Sequence, residues 1–272
     1  MIVFLYSNKE CEHQAVACIR SLTHIIDTIK VVYYTIGFDS NFEFKNLYKV
    51  RYPYKPEFPR FHFYKSELSL VTMEMFPDEH YFFTDTDVLF SRRFTPERVY
   101  HTHDYPLASY GPFDYPFSWE MHGNNKIIYD EKALMNYFNV PQRTQRYVWS
   151  CGYSYNSKSR DFLEEYISMC RNQFLQKNPK TYFPYADETA FNICLWKRNA
   201  TQNLGFAFVN TIRASTVQLV ENTTRSHFRV GNQQDEFGAD WEYVGEPENV
   251  LWYHGFKRNE EMLPALEYLL HG

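Results

Sequence analysis

The first forty residues alternate between strand-like and helix-like patterns of hydrophobic positions. Residues 1–6 are mostly apolar and predict a buried strand. Apolar residues then recur at helical spacing over 11–26, and Val31–Ile36 is a second apolar run. This strand–helix–strand opening is typical of a parallel sheet flanked by helices. Ligands of such sheets bind beyond the carboxyl ends of the strands, which here means around Tyr6 and Ser7.

Later segments continue the same α/β pattern. Ser7 and Glu10 have the spacing of a capping box, so the first helix is expected to start directly after Ser7. The chain has no internal repeat, low-complexity tract or clear linker, so residues 1–272 are predicted to form a single domain. The remaining predicted strands are 50–54, 81–90, 106–110, 147–155 and 250–254, and the remaining predicted helices are 66–76, 161–175, 187–196 and 260–270.

Two carboxylates interrupt the apolar run Tyr81–Phe90, at Asp85 and Asp87. Burying carboxylates without partners is costly, so such a site usually holds a cation or a hydrogen-bond network. Positions i and i+2 of an extended chain face the same side, so both aspartates are placed to bind one Mg²⁺ or Mn²⁺ ion. Such an ion most often serves phosphate groups. The alternative is that the two aspartates end a strand and are solvated.

The composition disfavours several classes of protein. A net charge of −5 argues against nucleic acid as a partner. No apolar run is long enough to predict a transmembrane helix, and the first residues lack the basic start of a signal peptide. Five cysteines without zinc-type spacing indicate reduced thiols and a cytoplasmic location. Aromatic residues make up 19% of the chain, and tyrosine and tryptophan rings also suit sugar binding.

A second polar motif follows the late apolar run at 250–254. His254 is suited to complete a metal site begun by two aspartates, Gly255 permits close approach of the backbone, and Lys257 is suited to neutralise a phosphate. Taken alone, this stretch is more typical of a capped strand end that carries surface cations.

Together these motifs resemble the glycosyltransferases of the GT-A fold, especially the glycogenin-like family 8 enzymes. Those enzymes carry an Asp-x-Asp motif at a strand end, here Asp85-Thr86-Asp87, and a late His-x-x-Gly-x-x-Lys motif, here shortened to His254-Gly255-x-Lys257. The resemblance implies a Rossmann-like, mixed and mainly parallel sheet flanked by helices. It also implies that Asp85, Asp87 and His254 bind Mn²⁺ (or Mg²⁺), with Gly255 and Lys257 at the diphosphate of a nucleotide sugar.

Three further segments resemble glycosyltransferase motifs. Asp187-Glu188 is similar to the Asp-Glu of the blood-group transferase-like family 6 enzymes, in which the glutamate lies beside the reacting sugar carbon. Ordinary capping of a helix start is the alternative for this pair. Residues 149–153 resemble a strand that contacts sugars, and Lys65 lies where the families place a basic residue that binds the donor.

The resemblance therefore predicts a metal-dependent glycosyltransferase that moves a sugar from a nucleoside-diphosphate sugar, most simply a UDP-sugar, to a glycan or other hydroxyl acceptor with retention. Asp187 and Glu188 are the expected catalytic residues, and Tyr6, Ser7 and Lys65 are expected to contact the donor. The main alternative is a haloacid-dehalogenase-like phosphohydrolase with Asp85 as its nucleophile. A third possibility is a non-catalytic protein that binds glycans or sugar nucleotides.

Overall fold

A computed structural model describes most of the amino-terminal two thirds of the chain and several later segments. The described residues are 1–58, 61–110, 131–171, 187–201, 217–220, 227–230, 250–252, 266, 267 and 270. The strands are β1 (Ile2–Ser7), β2 (Lys30–Ile36), β3 (Leu47–Tyr52), β4 (His80–Thr84), β5 (Val88–Phe90), β6 (Leu107–Tyr110), β7 (Val148–Asn156), β8 (Val217–Val220), β9 (His227–Val230) and β10 (Val250–Trp252). The helices are α1 (Glu12–Ser21), α2 (Tyr64–Met75), α3 (Glu131–Tyr137), α4 (Arg160–Arg171) and α5 (Asp187–Lys197).

Six of these strands form one mixed sheet in the order β3-β2-β1-β4-β7-β6. The neighbours from β3 to β4 are parallel, whereas β7 is antiparallel to both β4 and β6. The predicted fold class, a mainly parallel mixed sheet flanked by helices, is therefore confirmed. Two small antiparallel pairs, β5 with β10 and β8 with β9, complete the described strands.

Strand β1 lies at the centre and packs on both of its faces. Phe4 belongs to an apolar cluster with residues of α2, α4 and α5, whereas Val3 and Leu5 belong to a second cluster with residues of α1. All three side chains are fully buried. Alternate strand residues face opposite sides, so this pattern places helices above and below the sheet.

The capping-box prediction at the first helix is wrong. Asn8, not Ser7, caps the short 3₁₀ helix Lys9–Cys11 by accepting from the Cys11 amide, and α1 begins only at Glu12. Ser7 is the last residue of β1, and its hydroxyl lies 2.6 Å from the Tyr33 hydroxyl on β2. The tertiary contact with the neighbouring strand therefore overrides the local spacing.

Most of the other predicted elements are present with shifts of a few residues at their ends, whereas α3, β8 and β9 were not predicted. Helix α2 starts two residues earlier than predicted, which places Lys65 in its first turn. Part of the predicted late strand and most of the predicted helix 260–270 lie outside the described residues. No helix in the described part of the chain is long and apolar enough to cross a membrane.

His101 is buried near Asn156, the last residue of β7, which lies opposite the first residue of β4. The Asn156 side-chain amide donates to the backbone carbonyls of His101 and His103, at 3.0 and 3.1 Å. The His101 residue is 8% exposed. Burial lowers the pKa of His101 from 6.5 to about 4, and the nearby rings of His103 and His80 act in the same direction.

We expect the free energy of unfolding to fall as the pH is lowered from about 6.5 to about 4. In that range the unfolded chain takes up a proton at His101 and the folded chain does not. The loss reaches about 3 kcal/mol, since one pKa unit corresponds to about 1.4 kcal/mol. Denaturant titrations across this range should show a weaker pH dependence for His101→Leu. Both proteins carry the same carboxylates, so an unchanged dependence would contradict the assignment.

Candidate active site

A buried lysine is the centre of the polar cluster at the carboxyl end of β4. Lys65 is 3% exposed. Its Nζ lies 2.9 Å from Asp187 Oδ2 and 3.8 Å from Asp85 Oδ1. The same ammonium group donates to the backbone carbonyl and to the hydroxyl of Ser150, each at 3.2 Å. One cation thus joins helix α2 to three other elements: the turn after β4, the first part of β7 and the start of α5.

The Asp-x-Asp segment forms a bend rather than an extended strand, so the prediction of a continuous strand over 81–90 is wrong here. Strand β4 ends at Thr84, and β5 begins at Val88. The Asp85 amide still donates to the Cys151 carbonyl at 2.8 Å, and the chain bends directly afterwards, at Thr86 and Asp87. The two aspartates therefore follow β4 in a turn at the sheet edge.

The two acidic residues at the start of α5 both contact Ser150. The Ser150 amide donates to Glu188 Oε2 at 3.2 Å, and the Ser150 hydroxyl donates to Asp187 Oδ2 at 3.3 Å. The Asp187 residue is 5% exposed. The structure thus brings Asp85, Asp187, Glu188 and Lys65 into one cluster.

Ser150 itself was not among the predicted site residues. Its segment was noted only for its resemblance to a sugar-contacting strand. Two of its four contacts use the backbone amide and carbonyl, which every residue type except proline has. The sequence pattern therefore cannot predict the two contacts that Ser150 makes through its backbone.

Burial and the neighbouring charges both shift the pKa values of Lys65, Asp85 and Glu188. Burial opposes the charge on Lys65, but Asp187 and Asp85 outweigh this effect and hold its pKa well above the usual value. Burial raises the pKa of Asp85, although Lys65 acts in the opposite direction. Burial and the neighbouring Asp187 raise the pKa of Glu188 to about 8, against the effects of the Ser150 amide and Lys65.

The two predicted donor contacts at the end of β1 face opposite sides of the sheet. Tyr6 lies on the Lys65 side and donates from its hydroxyl to the His62 carbonyl at 3.3 Å. Burial raises the pKa of Tyr6 well above its usual value, so the phenol is neutral. Ser7 is 1% exposed and paired with Tyr33, so its hydroxyl does not belong to the Lys65 cluster.

Two of the three predicted metal ligands, Asp85 and Asp87, lie within the described residues. Asp85 and Asp87 supply carboxylate oxygens, the ligands that Mg²⁺ and Mn²⁺ prefer. The described part of the chain contains no group of three or more His, Cys, Asp or Glu side chains that could hold a metal ion. His254, Gly255 and Lys257 lie outside the described residues, so the third predicted ligand stays a prediction.

The fold is similar to that of a known glycosyltransferase. The crystal structure of the galactosyltransferase LgtC, in complex with donor and acceptor sugar analogs, matches with a TM-score of 0.59 and 13% sequence identity. The match covers 100% of this chain and 97% of that chain. The chain therefore has the Rossmann-like GT-A fold. No model of a protein family matches the sequence, and no curated protein matches it significantly.

We expect Lys65→Met to destabilise the protein by about 3–5 kcal/mol, because it leaves the buried Asp187 carboxylate without its cation. Lys55→Met is the matched control. Lys55 pairs with Glu67, which also accepts hydrogen bonds from Tyr52 and Arg171. This control should therefore lose about 1 kcal/mol or less. Denaturant unfolding of both variants is the measurement, and equal losses would contradict a central role for Lys65.

Proposed function

We propose that this protein is a metal-dependent glycosyltransferase that moves a sugar from a UDP-sugar to a hydroxyl group of a glycan acceptor, with retention. The observation that carries the proposal is the convergence of Asp85, Asp187 and Glu188 on Lys65 and Ser150, at the carboxyl end of β4 in a GT-A sheet. The similarity to LgtC, whose structure contains donor and acceptor sugar analogs, supports it.

The donor side of the site is assigned to residues at the carboxyl edge of the sheet. Asp85, Asp87 and His254 would hold Mn²⁺ or Mg²⁺, and the carboxylate oxygens of the first two suit either ion. When bound, the ion would offset the negative charge of the diphosphate. Lys257, with close backbone approach at Gly255, would contact the same group.

Tyr6, Ser7 and Lys65 are assigned to the donor as well. Ser7 would act through its backbone, because its hydroxyl is paired with Tyr33. Lys65 is already bonded to Asp187 and Ser150, so it would orient the acidic groups as well as contact the donor.

The acidic start of α5 is assigned to the chemistry. Positive charge builds at the sugar carbon as its bond to the diphosphate breaks, and a carboxylate nearby stabilises that charge. Asp187 and Glu188 are both fixed by Ser150, which reduces the reorganisation needed during the reaction. Asp187 would also hydrogen-bond the hydroxyls of the donor sugar.

The phosphohydrolase alternative gives a different product and uses a different residue. Such an enzyme would release inorganic phosphate from a phosphomonoester through attack by Asp85. Asp85, however, follows β4, whereas that motif normally follows the first strand of its domain. Phosphate release that is lost in Asp85→Asn would favour this alternative, and UDP release from a UDP-sugar would favour the transferase. Binding of UDP-sugar without any turnover would indicate the non-catalytic alternative.

The metal assignment predicts that UDP binds much more tightly with Mn²⁺ than with a chelator. Ligand binding to the folded state should then raise the melting temperature when UDP and Mn²⁺ are both present. Asp87→Asn should remove most of this increase. Asp27→Asn, an exposed aspartate in the loop before β2, is the control and should keep it. Calorimetric UDP affinities that are equal with and without metal would refute the metal assignment.

Glu188→Gln is predicted to lower kcat by at least ~100-fold, about 2.7 kcal/mol of barrier, because the lost charge acts mainly in the transition state. UDP affinity should be nearly unchanged, whereas Asp187→Asn should also weaken binding of the sugar nucleotide. In the wild type, kcat/KM should rise as the pH approaches about 8, where Glu188 ionises. Steady-state kinetics across this range are the measurement.

The matched control for this substitution is Glu165→Gln. Glu165 lies on α4 and pairs with Lys197 and Arg198, away from Ser150 and Lys65. It should keep wild-type kcat. Normal turnover in Glu188→Gln would remove Glu188 from the chemistry and leave it a structural role at the helix start.

A further inference from the structure

A second side chain of α5 holds the first residue of β7. The Asn192 side-chain amide donates to the Val148 carbonyl and accepts from the Val148 amide, each at 2.8 Å. It also donates to the Glu188 carbonyl at 2.9 Å, one helical turn earlier. Asn192 is completely buried. Three hydrogen bonds thus join one asparagine to both the strand and the helix start.

The position of Asn192 is unusual for a polar residue. Phe191 and Ile193, its neighbours along α5, are also fully buried, and the surrounding cluster is apolar. A buried amide is costly unless its hydrogen bonds are made, and asparagine is a poor helix former. The hydrogen bonds of Asn192 offset this cost, and two of the three bind Val148.

The bonds between Asn192 and Val148 are important because β4 does not pair with residues 148–150 of β7. The pairing of β4 with β7 runs from His80 opposite Asn156 to Thr84 opposite Gly152, and the Asp85 amide reaches the Cys151 carbonyl. The chain then bends at the Asp-x-Asp segment. Along residues 148–150, side chains supply the hydrogen bonds that β4 would otherwise make. Asn192 binds the backbone of Val148. Glu188 and Lys65 bind the backbone of Ser150.

We propose that Asn192 is a positioning residue for the transfer reaction. It holds β7 two residues before Ser150, and Ser150 in turn fixes Asp187 and Glu188. The inference rests on the proposed function, because it assigns Asn192 an effect on the turnover of that site.

The chain offers a matched control at the other end of the same strand. Asn156 is 7% exposed, donates to the carbonyls of His101 and His103, and accepts from the Lys158 amide at 2.9 Å. Both asparagines are therefore buried and bonded to backbone groups, and each joins β7 to a neighbouring segment; Asn156 also lies 3.5 Å from His101 Nδ1. In Asn192→Ser the hydroxyl can still bond to the Glu188 carbonyl, whereas both bonds to Val148 are lost. In Asn156→Ser the hydroxyl can still accept from the Lys158 amide.

The experiment compares Asn192→Ser and Asn156→Ser by melting temperature, steady-state kinetics with UDP-sugar, and hydrogen exchange of the Ser150 amide. We expect both variants to lose melting temperature. Only Asn192→Ser should lose kcat, by at least about tenfold, with the donor KM within about twofold of wild type. Exchange of the Ser150 amide should accelerate in this variant alone.

Equal kcat values in the two variants, or unchanged exchange at Ser150, would overturn the inference. If Asn192→Ser does not fold, Asn192→Thr tests the same junction more gently, because threonine also loses both bonds to Val148 but leaves a smaller cavity. It should then accelerate exchange at Ser150 and lower kcat, and wild-type values of both would overturn the inference. If the wild type shows no transfer, the proposed function fails by itself, and exchange at Ser150 still decides whether Asn192 positions β7.

Discussion

The bend at Asp85-Thr86-Asp87 determines how the rest of the site is built. It ends the pairing of β4 with β7 early, so the buried backbone at 148–150 needs other hydrogen-bond partners. Buried backbone amides and carbonyls are almost always satisfied, because leaving them unpaired costs as much as a lost hydrogen bond. Lys65 and the side chains of Glu188 and Asn192 supply these bonds. The need to satisfy one strand edge therefore gathers charged residues at the carboxyl edge of the sheet.

This arrangement couples stability to chemistry. The ammonium group of Lys65 bonds to the backbone of β7 and also balances the Asp85 and Asp187 carboxylates. The carboxyl of Glu188 bonds to the Ser150 amide and yet retains a pKa of about 8, because burial and Asp187 disfavour its charge. The groups proposed to act on the donor sugar thus form part of the structure that holds α5 against the sheet.

Much of the architecture could be predicted from the sequence, because the hydrophobic periodicity of the early strands and helices is strong. Strands β1 and β2 and helix α5 begin and end within one residue of their predicted bounds. The capping box at Ser7 failed because the pattern contains no information about Tyr33, which lies on the neighbouring strand. The bend at Asp85 and Asp87 was missed for the same kind of reason: an apolar run predicts burial, but not where pairing with β7 stops.

The site residues differ in how far the sequence could identify them. Asp85, Asp187 and Glu188 carry distinctive side chains in distinctive settings, so their resemblance to known motifs was informative. Ser150 could not be assigned in this way, because half of its contacts use backbone atoms. The sequence places Asn192 on the helix that begins at Asp187, and only its tertiary contacts reveal the hold on Val148.

The most direct test of this account is a crystal structure of the protein with Mn²⁺ and UDP. The account predicts an anomalous peak for manganese bound by Asp85 and Asp87, with the diphosphate on the same ion and with Asp187 and Glu188 facing the position of the donor sugar. A nucleotide bound at another edge of the sheet, or manganese bound without contact to Asp85 and Asp87, would contradict it.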